Sequence, residues 1–401
     1  MDIPFMKQKA NRFIEYLLFL FVLLLPMSSY FSTRILGVLF VLTLFLGIRP
    51  FKLLDFLKSS WDILIYLLVI SIGLIYSSDK ALGVRSLETS IALLALPVIC
   101  HRLPTLEKEQ VNKIFLYFSL GILAAGLICT LAAVIQYLGN RDAQVFFFYD
   151  FTNVIQSHPT YLAYYLIFAI TFGLYVLNYD KLQFPSWIFV IAILFYFINL
   201  LLTGGQTAFV GLLFVFAFFL LNFFLGQNNT LNQKLTFGLV VGMLLVMVFV
   251  SSRESIQREQ ALNDSWDRFE LWRSGILANS NFLLGVGTGD YKNVLNEYYR
   301  ETHQDAFADG ELNSHNQFIQ IFFSNGILGL VAVMVLLLRP LYLAFKHNSQ
   351  LGILVLFPFL IYGMTEVFLG RYQGVAFFAL LHQVFINHYL QADIAISVIR
   401  E

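Results

Sequence analysis

The sequence predicts an all-α polytopic membrane protein of about twelve transmembrane helices with one large external loop. Three observations predict it. Of 401 residues, 58% are hydrophobic and only 12% charged, against roughly 45–50% and 25% in soluble domains, and mean hydropathy is +0.73. Apolar runs of about 15–25 residues recur along most of the chain, the length that crosses a hydrocarbon core of about 30 Å. A single long polar stretch, residues 252–314, interrupts them.

The runs lie at about 13–29, 34–48, 61–76, 86–100, 114–138, 160–178, 186–203, 206–226, 235–251, 315–338, 351–369 and 373–391. The second and fourth are short, and the fourth carries Glu88 and Pro97. The first follows Lys7, Lys9 and Arg12 as a signal peptide would. It lacks a small-residue cleavage site and more spans follow, so an uncleaved anchor is expected. Orientation comes from Lys and Arg in short loops. With the N-terminus inside, fourteen cations fall on cytoplasmic segments, and five (Arg34, Lys80, Arg85, Arg141 and Arg371) on short external ones. Both termini are therefore expected in the cytoplasm. The chain divides into 1–251 with helices one to nine, the external loop 252–314, and 315–401 with helices ten to twelve and a tail.

Lys+Arg and Asp+Glu balance at 25 each, so no basic surplus points to nucleic acid. Cys100 and Cys129 offer neither a metal spacing nor a disulfide framework. No HExxH, paired-cysteine, Walker or GxSxG pattern occurs. Neither a metal nor a cofactor is expected.

Chemistry concentrates in the external loop, which carries eleven acidic and six basic residues. Loops of this length without structure of their own are uncommon and tend to carry function. Trp266, Phe269, Trp272 and Ile276 fall near helical spacing and suggest a short helix on the membrane interface. Its aromatics read as a belt anchor. Arg268 and Arg273 on that helix suit bidentate phosphate recognition, or serve as interfacial charges. Gly285-Val-Gly-Thr-Gly-Asp290 lacks the strand-turn-helix context of a phosphate loop and reads as a tight turn.

Asn313-Ser314-His315-Asn316 leads straight into an apolar run. With Asn313 or Ser314 as N-cap, His315 falls in the first helical turn. A helix N-terminus disfavours imidazolium and favours anions, so a neutral His315 suits general-base work. The alternative is a histidine that only supports the cap. Gly326 and Gly329 in the same span read as close helix packing. His158, ahead of Pro159 at the start of the sixth span, is a second candidate. Glu366 and Arg371 end the eleventh span, where ionisable groups are functional by default or pair with each other. His382, Gln383, Asn387 and His388 read as hydrogen-bonding groups inside the bundle.

His315-Asn316, nine residues, then Gly326-Ile-Leu-Gly329 resembles the H[NSQ]x9GxxG signature of the O-antigen ligase superfamily, which includes O-antigen polymerases and protein O-oligosaccharyltransferases. Arg268 with Trp272, the later Gly285-x-Gly-x-Gly, His158-Pro-Thr-Tyr161 and Glu366…Gln373-Gly374 look like further elements of that family. The resemblance spans about residues 150–375. It implies a metal-independent, GT-C-like glycosyltransferase in a bacterial inner membrane, working on the periplasmic side in lipopolysaccharide or polysaccharide biosynthesis. The donor would be a glycan on undecaprenyl diphosphate, and the acceptor a lipid A-core, a growing polysaccharide or a protein. His315 would activate the acceptor hydroxyl. Arg268, helped by Arg273 and Arg371, would stabilise the diphosphate, with Asn316, His158 and Glu366 around the substrate. One departure stands out: Gln206 occupies the place of a family arginine. The rival class is a transporter or flippase of lipid-linked oligosaccharide, which would line a cavity within the spans with cations.

Overall fold

The computed structural model describes residues 3–46, 49–103, 106–179, 184–257 and 261–400. Lys181, among the cytoplasmic cations, lies outside them, as do the side chains of Gln206 and Trp266. Helices are α1 (Ile3–Leu24), α2 (Ser29–Leu46), α3 (Leu53–Tyr76), α4 (Lys80–Thr89), α5 (Ile91–Arg102) and α6 (Lys108–Asn140). There follow α7 (Phe148–Thr152), α8 (Pro159–Tyr179), α9 (Ser186–Thr203), α10 (Gln206–Leu225), α11 (Leu231–Gln257) and α12 (Ala261–Leu277). The last five are α13 (Tyr291–Glu301), α14 (Asp305–Asp309), α15 (Gln317–Lys346), α16 (Gln350–Gly363) and α17 (Tyr372–Arg400). No strand occurs among the described residues. The apolar runs map onto helices, though the run at 86–100 is divided between α4 and α5 and that at 351–369 continues past the end of α16. Among the described residues nine spans are long and apolar enough to cross a membrane, α4 and α5 together counting as one, and α16 is a shorter apolar helix. The protein is polytopic and all-helical.

The chain forms two compact units. One comprises Glu15–Ile35 and Lys108–Glu259. Its central helix is α8, whose span is 89% buried. Lipid gives apolar side chains no reason to avoid it, so packing, small residues and polar contacts must join helices. Phe115 and Phe118 of α6 meet Phe168 of α8 edge-on at 5.2 and 5.1 Å. Gly126 lets Asn199 of α9 approach, and Thr130 donates to the Asn199 carbonyl oxygen at 3.4 Å. The Tyr196 hydroxyl donates to the Ser119 carbonyl at 2.8 Å.

The other unit comprises Met1–Ile14, Leu36–Glu107 and Gln260–Glu401. The polar stretch is a small helical subdomain of this unit. Leu271 of α12, Leu295 and Tyr299 of α13, Ala308 of α14 and Phe323 of α15 share one buried apolar core. The spacing of Leu295 and Tyr299 puts both on one face of an amphipathic helix.

A charge cluster ties three helices of this unit together. Asp62 of α3 is fully buried. Its carboxylate accepts from Arg339 Nη1 of α15 at 2.5 Å and pairs with His382 Nε2 of α17 at 2.7 Å. Arg339 also donates to the carbonyls of Lys58 and Ser59, at 2.7 and 3.0 Å. Gln383 Nε2 lies 3.1 Å from His382 Nδ1. If Gln383 donates there, Nε2 carries the proton of a neutral imidazole and donates to Asp62. The hydrogen-bonding role expected of His382 is met, and its partner is the carboxylate of Asp62, 320 residues away.

Removing one member of such a cluster leaves buried charge uncompensated, a cost of about 3–5 kcal/mol. Asp62→Ala should lower the unfolding temperature in detergent sharply, and Asp62→Asn, which keeps hydrogen-bonding groups, should lower it less. Equal melting of Asp62→Ala and the parent protein would show that the cluster contributes nothing to stability.

Candidate functional site

α15 is not one continuous helix. Asn325 (φ −131°, ψ 16°) and Gly326 (φ 62°, ψ −160°) break it into arms over 317–324 and 327–346. The Gly326 conformation belongs almost solely to glycine. A Cβ there would sit 2.5 Å from the Leu284 nitrogen. Gly326 is thus the break itself, which corrects the expectation that it serves close helix packing.

A broken helix in lipid must find other partners for its freed backbone groups. The helical subdomain built around α12–α14 supplies them. Val286 and Gly287 donate to the carbonyls of Phe323 and Ser324 at 3.0 and 2.8 Å, and Ile327 donates to Phe282 at 2.9 Å. Gly285 (φ 72°) and Gly287 (φ 111°) give this segment its left-handed turns. The same segment is pinned to the end of α3. Thr288 Oγ1 donates to the Ile70 carbonyl at 2.7 Å and accepts from Asn325 Nδ2 at 2.8 Å. The Asp290 carboxylate accepts from the backbone N–H groups of Ser78 and Asp79, both at 2.7 Å, and the Tyr76 hydroxyl donates to the Leu284 carbonyl. The glycine-rich stretch is a turn, as its sequence context indicated, and its partner is the broken helix.

Asn316 starts the first arm. Its side-chain oxygen accepts from Phe318 and Ile319 at 2.9 and 3.1 Å, and its Nδ2 donates to the Met364 carbonyl at 3.0 Å. His315 therefore precedes the N-cap, in a left-handed conformation (φ 42°), instead of occupying the first helical turn. The sequence offers several good caps in a row, and the tie to Met364 selects the last. His315 is 35% exposed, with Nδ1 3.9 Å from Oε2 of Glu366, itself 13% exposed. That is a charge contact, too long for a direct hydrogen bond. Glu366 thus faces His315, a correction to its expected pairing with Arg371. Arg371 is exposed and forms no ion pair with Glu366 among the described residues.

The expected helix around Trp272 is α12. Gly275 packs on Ser314 and Ile319, so α12 meets the chain next to His315. Arg268, Leu271 and Gly275 share one helical face, with Arg268 about 10 Å along the axis from Gly275. Arg273 points elsewhere. It is 68% exposed and pairs with Glu270 at 3.7 Å. Phe269, Ile276, Phe282 and Leu283 are exposed apolar residues of the subdomain.

His158 and Gln206 belong to the other unit. His158 Nδ1 accepts from Thr160 N at 3.3 Å, and Nε2 pairs with the Tyr149 hydroxyl at 2.8 Å. It supports the start of α8. Gln206 is the first residue of α10, after a turn in which Gly204 (φ 62°) lies against the Phe148 ring. Of the sequence candidates the structure joins His315, Asn316 and Glu366, and places Arg268 on the helix face that meets them.

Residues 191–334 match the family model described as O-antigen ligase. The match, to an O-antigen ligase domain, covers just over a third of the chain. No curated protein matches the chain. The O-antigen ligase match covers Arg268, the glycine turn, His315, Asn316 and Gly326, and stops before Glu366 and Arg371.

Between the first arm of α15, α4 and residues 367–370 lies a cavity of about 220 Å³, with both polar walls and aliphatic ones such as Ile70, Leu82 and Ile321. Burial raises the hydroxyl pKa of Tyr291, one of its walls, so that group stays neutral at ordinary pH.

Gly326→Ala must change the backbone at the break or clash with residues 283–284. It should cost about 3 kcal/mol or more. Gly37→Ala, where an added Cβ meets nothing within 4 Å, should be neutral or slightly stabilising. Thermal unfolding of both in detergent is the measurement, and equal melting would mean that the break does not need glycine.

Proposed function

We propose that the protein is a glycosyltransferase that moves a glycan from an undecaprenyl-diphosphate carrier to a hydroxyl acceptor at the periplasmic face of a bacterial inner membrane. The observation that carries this is His315 facing Glu366 at the start of the broken helix, within or beside the O-antigen ligase match. Glu366 stabilises the imidazolium that forms when His315 accepts a proton, and Nε2 is left for the acceptor. The acceptor O–H loses its proton to His315 as its oxygen bonds the anomeric carbon. The anomeric C–O bond to the diphosphate breaks, and the electron pair leaves on the phosphate oxygen. A single displacement of this kind inverts the anomeric centre.

The leaving diphosphate needs cations. Arg268 is the first choice because of its helical face; Arg371 and Arg273 stand behind it. Removing one such donor costs about 3–4 kcal/mol of transition-state stabilisation. The acceptor is a lipid A-core, a polysaccharide or a protein. In this reading residues 1–251 form the first nine spans, 252–314 the periplasmic loop, and 315–401 the last three spans with a cytoplasmic tail.

With purified protein, lipid-linked glycan and candidate acceptors, His315→Ala should lower transfer by about 10²–10⁴-fold and Glu366→Gln by less, both with unchanged melting. Retention of more than about a tenth of the activity in His315→Ala would make it a structural residue. Arg268→Ala should lower transfer by about 10²-fold or more, and Arg273→Ala far less. Equal effects would remove the facial argument.

Topology has its own test. In a background lacking Cys100 and Cys129, a cysteine at position 305 should label from outside intact spheroplasts, and one at 395 should not. The reverse pattern would place the site on the wrong side for this reaction.

A further inference from the structure

The cavity beside the His315–Glu366 pair is the strongest unassigned site in the molecule. It is attached to that pair at both ends: Gln317 follows the N-cap Asn316, and Val367 follows Glu366, and both line it. Its walls hold no carboxylate, and its one cation, Arg85, is exposed and forms no ion pair among the described residues.

The hydrogen-bonding groups on the walls are already oriented. Ser86 and Thr89 of α4 give their protons to the helix carbonyls of Leu82 and Arg85, at 3.1 and 2.9 Å. Their oxygen lone pairs remain available as acceptors. Gln317 uses its oxygen to accept from Leu369 N at 2.8 Å, which leaves its amide N–H groups. Gln320 is held the same way: Oε1 accepts from Ser314 N at 3.4 Å and lies 3.2 Å from the Ser314 hydroxyl, whose proton is shared with the nearer Asn316 carbonyl at 3.0 Å. The backbone N–H can only donate, so it fixes which end of the amide is oxygen. Gln320 Nε2 is buried with no acceptor among the described residues, and such a group is costly to leave unpaired. Tyr291 adds a neutral phenol.

Amide donors, hydroxyl acceptors and a tyrosine suit a ring that carries both hydroxyl donors and acceptors. A lipid chain would strand these groups, and the absence of carboxylates disfavours a cation. At about 220 Å³ the cavity is below the roughly 300–1,000 Å³ of sites for drug-sized molecules, which limits the occupant to about one ring. We propose that it is a subsite for a single sugar ring bearing an anionic group, with the ring on Gln317, Gln320, Ser86 and Thr89 and the anion on Arg85. The anion has two possible sources, the phosphoryl end of the donor or the carboxylate of an acidic sugar within the glycan. The identity of the larger glycan rests on the transferase reading. Binding at the cavity does not.

The test is ligand-observed NMR on the full-length protein in detergent. The probes are glucose, galactose and N-acetylglucosamine, the 1-phosphate of each, glucuronate, galacturonate and inorganic phosphate. At least one anionic sugar should bind about fivefold more tightly than its neutral parent, the scale of an exposed ion pair. Arg85→Gln should erase that preference and leave neutral-sugar binding intact. Ser86→Phe should abolish binding of both; Thr89→Phe, one turn on, replaces it if Ser86→Phe fails to fold. His315→Ala should bind as the parent does, so loss of transfer and loss of binding are separate results. Preference for a 1-phosphate assigns the donor end, and preference for a uronate an acidic sugar. The proposal is overturned if no sugar binds, if inorganic phosphate competes as well as the sugar phosphates, or if binding survives both cavity-filling variants.

Discussion

The unit that holds His315 depends on how a helix can be interrupted inside an apolar environment. Carbonyls freed at Phe323 and Ser324 have no water to turn to in lipid. Backbone N–H groups from the glycine turn at 285–290 meet them instead. The break, the glycine turn and the end of α3 are therefore one hydrogen-bonded structure. Because of it the first arm of α15 has an independent direction, and its N-cap presents His315 toward Glu366 in place of continuing the axis of the second arm.

The two arms of α15 are held by different physics. The first arm is fixed by neutral contacts: backbone pairs at the break, the Asn316 amide on Met364, and the Gln317 amide on Leu369. These are short-ranged and depend on geometry. The second arm is fixed by charge, through Arg339, Asp62 and His382. Charge is strong in low dielectric but costly to bury, so it holds only when every member is present. Neutral contacts of this kind use none of the arginines near that end.

Much of the fold was legible because a bilayer demands long apolar runs, and such runs survive without knowledge of packing. The helix α12 and the turn at 285–290 were legible for local reasons, periodicity and glycine content. The break was not. Gly326 in an apolar segment looks the same whether it admits a neighbouring helix or reverses the backbone, and only ψ near −160° separates the two. Asp62 was hidden because its partners lie 277 and 320 residues away. His315 stands out in the sequence through the family signature. Its partner does not, since Glu366 has a nearer cation in sequence, Arg371, and the chain folds past it. Arg85 stood only as one external charge among five, with no motif around it.

The pinning of residues 284–290 to the end of α3 also has a consequence in time. Ser78 and Asp290 are 212 residues apart, and the whole of Lys108–Glu259, which belongs to the other unit, is synthesised between them. Until the ribosome has passed that stretch, α3 waits with the backbone N–H groups of Ser78 and Asp79 unmet. Loop closure over such a separation grows only slowly in cost with length, but it cannot begin early. Insertion of the first helices is thus uncoupled from assembly of this corner, which cannot close before residue 290 has left the ribosome.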